Sequence, residues 1–157
     1  MAEASYHIQD EPRPGPLQQA AVQPFWPLFG MMFAGSWLAL PWFAFNGFAV
    51  GSPTKWREAA LAAAGLLGNA VLAVALAFLH ATGVLSDGLV PYGVVLITVW
   101  KLGVCYVIHT WQSRSIALYE YFGGVLANGV WVVFVASMLE RGLFKNLNSV
   151  FWQLVLQ

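Results

Sequence analysis

Lys101 is the residue of this sequence most able to do chemistry, because it lies near the middle of an apolar run, Leu89 to Trp111. A lysine at the centre of a bilayer costs about 2.5–3.5 kcal/mol on insertion scales, so it usually has a partner or a function. Asn69 and Asn128 lie near the middle of two other apolar runs. We therefore predict an intramembrane polar cluster, in which the Lys101 ammonium donates to the side-chain oxygens of both asparagines.

Three interpretations of this cluster stay open. In the first, the asparagines are interhelical links of about 0.6 kcal/mol per bond, and the lysine extends toward a polar end of the bundle. In the second, Lys101 titrates or attracts an anion in the water-filled cavity of a channel or transporter. In the third, it pairs with a lipid phosphate or with a carboxylate of another subunit, because the Asp and Glu residues of this chain lie near span ends or in loops.

His109 and Glu120 are secondary candidates. A haem held by two histidines would need His80 and His109 at similar depth, yet they should lie about 25–30 Å apart at about 1.5 Å per residue. Glu120, which follows Arg114, could contact a lipid headgroup, although an exposed ion pair is the simpler interpretation. The sequence has no nucleophile elbow, zinc-binding His-Glu-x-x-His or phosphate-binding glycine loop. We therefore predict a non-enzymatic protein without a cofactor or metal.

The composition indicates a membrane protein. Of the 157 residues, 59% are hydrophobic and 9% are charged, whereas a soluble domain has about 25% charged residues. The chain lacks the charge to cover a water-facing surface, so we predict that it is integral to a membrane, the inner membrane if it is bacterial, with the lipid bilayer as a partner. The formal net charge is zero, which argues against nucleic acid as a partner.

Four segments have the ~20 mainly apolar residues that cross a bilayer. The predicted spans are residues 27–50, 58–80, 90–111 and 118–139. Short connections force neighbouring helices to be antiparallel, so we predict an all-α integral membrane protein with four transmembrane helices in an up-and-down bundle. Pro41 predicts a kink in the first span, and a re-entrant hairpin is the alternative.

The two ends of the chain differ from this membrane domain, residues 25–141. Residues 1–24 are rich in proline and are predicted to be a disordered tail. Residues 142–157 are predicted to form a short amphipathic helix in the membrane interface or against a partner. Lys and Arg are balanced on the two sides at three against three, so the positive-inside rule does not orient the chain. We place both termini in the cytoplasm because an unsignalled tail is seldom translocated.

Residues 65–69 in the second span resemble residues 124–128 in the fourth, since both segments begin with glycine and end with asparagine. Internal duplication and coincidence between apolar segments both explain the match. The function we predict is assembly, as a subunit of a membrane complex or as a homo-oligomer. The alternative is a small channel or transporter that uses Lys101, Asn69 and Asn128.

Overall fold

The computed structural model describes Pro12, residues 15–144 and Leu154–Val155. Within these residues the regular structure is helical, which confirms the predicted all-α class. The helices are α1 (Phe25–Ala34), α2 (Ser36–Val50), α3 (Lys55–Ala81), α4 (Val90–Tyr121) and α5 (Val130–Phe144), with 3-10 turns at Gln18–Ala20 and Asp87–Leu89.

In the described part of the chain, α3 and α4 are the two helices that are long and apolar enough to cross a membrane. They contain 27 and 32 residues, and at about 1.5 Å per residue both exceed the ~30 Å hydrocarbon core of a bilayer. They correspond to the second and third predicted spans. Four spans are not confirmed, because the first and fourth predicted spans have a different structure.

The first predicted span, residues 27–50, is divided into two helices. The break is at Gly35, which has φ 81° and ψ −175°, a conformation that glycine adopts without the steric strain of a Cβ atom. Pro41, where a kink was predicted, lies inside α2. The backbone therefore turns at the flexible residue, and the proline is accommodated within a helix.

The two short helices form a helical hairpin, because α1 packs back along α2. A Cβ atom at Gly30 would lie 3.4 Å from Leu38 and 3.6 Å from the Trp42 ring. Further from the turn, the Val22 amide donates to the Asn46 side chain at 2.9 Å. The pairs Gly30–Leu38 and Val22–Asn46 are both centred on residue 34, as expected for two antiparallel segments. Residues 25–50 therefore form a helical hairpin rather than one kinked helix.

The fourth predicted span also has different bounds. α4 continues through the predicted loop at residues 112–117, and α5 begins at Val130 rather than near residue 118. Gln112 and Ser115 lie in that predicted loop, and both are buried. They form the inward face of a continuing helix, so their polarity does not mark a helix end.

Both ends of the described chain pack on this framework. Ala21 and Val22, within the predicted tail of residues 1–24, are buried, and the Ala21 carbonyl accepts from Ala127 at 2.7 Å. The predicted amphipathic helix, residues 142–157, lies mostly outside the described residues. Its Leu154 and Val155 are described, and they pack against α3 and α4.

The largest apolar core cluster lies where α2, α3 and α4 meet. Leu40 and Phe43 of α2 are fully buried there against Ala62 of α3 and against Val104 and Ile108 of α4. This packing fixes the relative positions of the three helices that carry most of the buried polar side chains.

Candidate functional site

Lys101 is buried and bonded within the chain. It is 5% exposed, and its Nζ donates to the Leu154 carbonyl at 2.6 Å. Ser36, at the start of α2, donates to the next carbonyl, that of Val155, at 2.8 Å. The amide of Asn69 on α3 approaches the same carbonyl at 3.5 Å. Side chains from three helices thus converge on two consecutive backbone carbonyls, and we call Lys101, Asn69 and Ser36 the Lys101 site.

The Lys101 site differs from the predicted cluster in the acceptor that it uses. The ammonium was predicted to donate to asparagine oxygens, but it bonds to a main-chain carbonyl. A buried carbonyl needs a donor, and a charged donor makes a stronger bond than a neutral one. The Asn69 Oδ1 atom is buried without a hydrogen-bond partner in the described part of the chain. The sequence placed Lys101 within a helix but could not reveal its acceptor.

Asn128 lies outside the Lys101 site. Its side chain is exposed, and its Oδ1 accepts from the Val130 amide at 3.0 Å. It therefore caps the first turn of α5, a role for which asparagine is among the preferred residues. Asn69 is buried in the middle of α3 instead, so the two asparagines of the suspected repeat have different roles.

The secondary candidates also lie apart from the Lys101 site. The His109 ring stacks on Tyr106 with 6.3 Å between ring centroids. Glu120 is exposed, and its Oε1 accepts from the Gln23 side chain at 2.8 Å. Neither contact assembles a reactive group, and the predicted proximity of Glu120 and Arg114 gives no ion pair among the described residues.

A second buried polar network, which the sequence analysis missed, is centred on Glu58. This glutamate lies in the first turn of α3 and is fully buried. Its Oε1 accepts from the Ser52 and Thr54 hydroxyls, each at 2.6 Å. Its Oε2 accepts from the Gln112 amide at 2.8 Å. Both oxygens of the carboxyl group are therefore used as acceptors, and its partners are neutral donors.

The network extends through Gln112 to the helical hairpin. The Gln112 amide also donates to the Phe43 carbonyl at 2.6 Å, and its oxygen accepts from Asn46 at 3.1 Å. Asn46 in turn exchanges two bonds with the backbone of Val22, at 2.9 and 3.0 Å. We call Glu58, Ser52, Thr54, Gln112 and Asn46 the Glu58 network.

The Glu58 network holds α2, α3, α4 and the segment before α1 together. The close approach of α2 requires a glycine, because a Cβ atom at Gly47 would collide with the Glu58 carboxyl group. Glu58 is fully buried, and its bonds to Ser52, Thr54 and Gln112 are made inside the chain. The arrangement can stabilise the contact between the hairpin and α3–α4, but it presents no exposed reactive group.

One pattern in the sequence could have indicated this network. Lys101, Cys105, Gln112 and Ser115 lie on one face of a helix at spacings close to 3.6 residues per turn. All four are buried. Following that face beyond Trp111, rather than ending the helix at the first polar residues, would have predicted both the longer α4 and the burial of Gln112.

Comparison of the chain with protein-family models, with curated proteins and with solved structures gives no match. The geometry of the described residues is therefore the basis for the function proposed next.

Proposed function

We propose that this chain is an integral membrane protein that functions without catalysis, by assembling as a homo-oligomer or as a subunit of a membrane complex. The observation that supports this most directly is the exposure of its apolar helices. In the most apolar 18-residue stretch of each long helix, only 22% is buried inside the chain. Leu67, Phe78 and Tyr106, for example, are 68%, 65% and 65% exposed. A surface of this kind needs lipid or protein to cover it.

In this proposal α3 and α4 cross the bilayer, and the helical hairpin enters part of the way. α2 has 15 residues and is about 22 Å long at ~1.5 Å per residue, shorter than the hydrocarbon core. Its first residue, Ser36, lies at the depth of Lys101, since the two bond to adjacent carbonyls. Ala34 and Ser36 are fully buried. Irregular backbone at membrane depth is tolerated when protein covers it in this way.

The two ends of α3 and α4 differ in charge, and this difference supports an orientation that the sequence left undecided. Lys55 and Arg57 begin α3, and Arg114 lies at the same end of α4, because the adjacent Ser115 contacts Ser52. We call these three cations the basic end. The opposite connection, residues 82–89, has no lysine or arginine. Arg13, Arg141 and Lys145, which completed the balanced count, do not lie in the connections at the two ends of α3 and α4, so for these two helices the positive-inside rule places the basic end in the cytoplasm.

α5 is the helix that most favours assembly. Its apolar part, Val130–Glu140, is about 16 Å long at ~1.5 Å per residue, so it is shorter than the hydrocarbon core. Oligomerisation is one way in which such a mismatch is relieved. An apolar groove of about 410 Å³ lies between α5 and α2, lined by Trp37, Leu38, Trp131, Val132, Val135, Ala136 and Leu139. A helix of a second subunit would cover this groove and the exposed Trp131 ring.

Assembly is tested by counting subunits in the native membrane. Tagged protein is extracted with its surrounding lipid, and its mass is measured by native mass spectrometry. We expect a defined oligomer or complex, which Trp131→Ala weakens. Phe78→Ala on α3 is the matched control, because both aromatic side chains are exposed, by 71% for Trp131 and 65% for Phe78. A chain that is monomeric and without partners in these particles would refute the proposal.

A channel or transporter is the second candidate, and the Asn69 Oδ1 atom, which has no hydrogen-bond partner in the described part of the chain, favours it. A buried amide oxygen without a donor can accept from water or from a passing solute, and the Asn69 and Lys101 side chains meet adjacent carbonyls. Flux into liposomes that contain the purified chain, compared with Lys101→Met, tests this function. Equal flux in both, at the level of empty liposomes, would exclude it.

A further inference from the structure

We propose that the basic end carries a binding site for a phosphate group, either that of a phospholipid headgroup or that of a soluble phosphate. A cavity of about 500 Å³ opens between the start of α3 and the last third of α4. Its lining includes Thr54, Arg57, Trp111, Arg114 and Ser115, and we call it the arginine pocket. The volume lies within the ~300–1,000 Å³ that is typical of small-ligand sites.

Two arginines from different helices line this one cavity, and neither forms an ion pair within the described residues. The one ion pair within the described residues joins His80 and Asp87, at 3.8 Å, and neither of them lines the cavity. Glu58, next to Arg57 in sequence, turns inward to its own network. Glu120 accepts from Gln23. Neither carboxyl group forms an ion pair with Arg57 or Arg114 in the described part of the chain.

The chemistry of the lining favours a phosphate over other anions. A guanidinium group donates two parallel hydrogen bonds to phosphate oxygens, which a compact ammonium does not. The Thr54 hydroxyl already donates to Glu58 and the Ser115 hydroxyl is bonded to Ser52, so the two arginines are the donors that remain for a phosphate. Arg57 lies in the first turn of α3, and the positive end of a helix dipole favours a bound anion.

The depth of the pocket matches that of lipid phosphates, an argument that rests on the proposed membrane placement. Trp56 and Trp111 lie at this end of α3 and α4 and are 73% and 37% exposed. Tryptophans concentrate at the level of the headgroups. The apolar part of α3 begins directly after Glu58, so a lipid could place its phosphate in the pocket and its acyl chains along α3 and α4.

The test uses the full chain in nanodiscs of phosphatidylcholine that contain a minor fraction of phosphatidylglycerol. Native mass spectrometry measures how strongly phosphatidylglycerol is retained. We expect the double variant Arg57→Gln/Arg114→Gln to lose about tenfold in preference for each arginine. Arg114→Lys keeps the charge but loses the planar fork, so an intermediate loss is expected.

Lys55→Gln is the matched control. Lys55 is adjacent in sequence and carries the same charge, but it lies over the Phe48 ring, 5.8 Å from its centroid, and it does not line the arginine pocket. The preference of the Lys55→Gln variant for phosphatidylglycerol should be the same as that of the unaltered chain. An equal loss in Lys55→Gln and in the arginine variants would overturn the proposal, because it would show only general surface charge.

Inorganic phosphate distinguishes the two sources. Competition by inorganic phosphate, with no preference among lipids and with loss of binding in the arginine variants, supports a soluble phosphate as the ligand. Retained phosphatidylglycerol that inorganic phosphate does not displace supports the headgroup. If neither phosphatidylglycerol nor inorganic phosphate binds in a way that depends on the arginines, the proposed site is overturned. Because the chain must enter nanodiscs before the lipid measurement, that result would leave the proposed membrane function standing, whereas failure to enter them would refute the membrane placement.

Discussion

Replacing Glu58 tests whether the buried network holds the helical hairpin against α3 and α4. Glu58→Ala removes the acceptor of the Ser52, Thr54 and Gln112 side chains. A buried donor that is left without an acceptor costs about 1–3 kcal/mol. Ser52 lies 3.0 Å from the Thr54 hydroxyl and 3.1 Å from that of Ser115, so part of the loss is recovered by rebonding. We expect the free energy of unfolding to fall by about 3–5 kcal/mol.

Glu58→Gln separates the role of the acceptor from that of the side-chain volume. A glutamine oxygen at the Oε1 position still accepts from Ser52 and Thr54, whereas its NH₂ group faces the NH₂ group of Gln112. Only one of the three bonds is lost, so we expect a decrease of about 1–3 kcal/mol. Glu58→Gln should therefore be clearly more stable than Glu58→Ala.

The assay is reversible unfolding by sodium dodecyl sulfate in mixed micelles, followed by tryptophan fluorescence. Glu120→Gln is the control, because Glu120 is exposed and makes one bond to Gln23; its effect should stay within about 0.5 kcal/mol. Equal losses for Glu58→Gln and Glu58→Ala would contradict the count of bonds. A loss for Glu58→Ala no larger than that of the control would refute the structural role of the network.

Three further predictions concern other parts of the fold. Lys101→Met removes the charged bond to Leu154, so the amides of Leu154 and Val155 should exchange hydrogen about tenfold faster or more. Lys101→Arg should leave their exchange rates as in the unaltered chain, and unchanged exchange in Lys101→Met would contradict this. Gly35→Ala should destabilise the hairpin by about 1–3 kcal/mol in the same unfolding assay. Gly103 lies in a helix with open space around it, so Gly103→Ala should be neutral or stabilising. Similar effects at both glycines would argue against the turn at Gly35. Asn128→Ala should lower stability by about 1 kcal/mol through loss of the α5 cap, and Asn128→Ser should restore most of it; no recovery in the serine variant would show that the cap is not the cause.

Local composition was sufficient to predict the helical class and the two long apolar helices. An uninterrupted run of ~20 apolar residues satisfies its backbone only as a helix when it lies in lipid, and this holds whatever its neighbours are. α3 and α4 could therefore be located from the sequence. The same reasoning placed Lys101 within α4 and Asn69 in the middle of α3, and both are buried.

The tertiary structure decided what the sequence pattern left open. Gly35 turns the chain because its backbone has a positive φ, and a hydropathy pattern carries no information about that angle. Gln112 is buried because Glu58 and Asn46 lie opposite it on other helices, so its polarity marks an internal contact rather than a loop. Asn69 and Asn128 resemble each other in sequence, yet one lies inside the bundle and the other caps α5. A polar side chain acquires its role from the groups that surround it, and those groups come from distant parts of the chain.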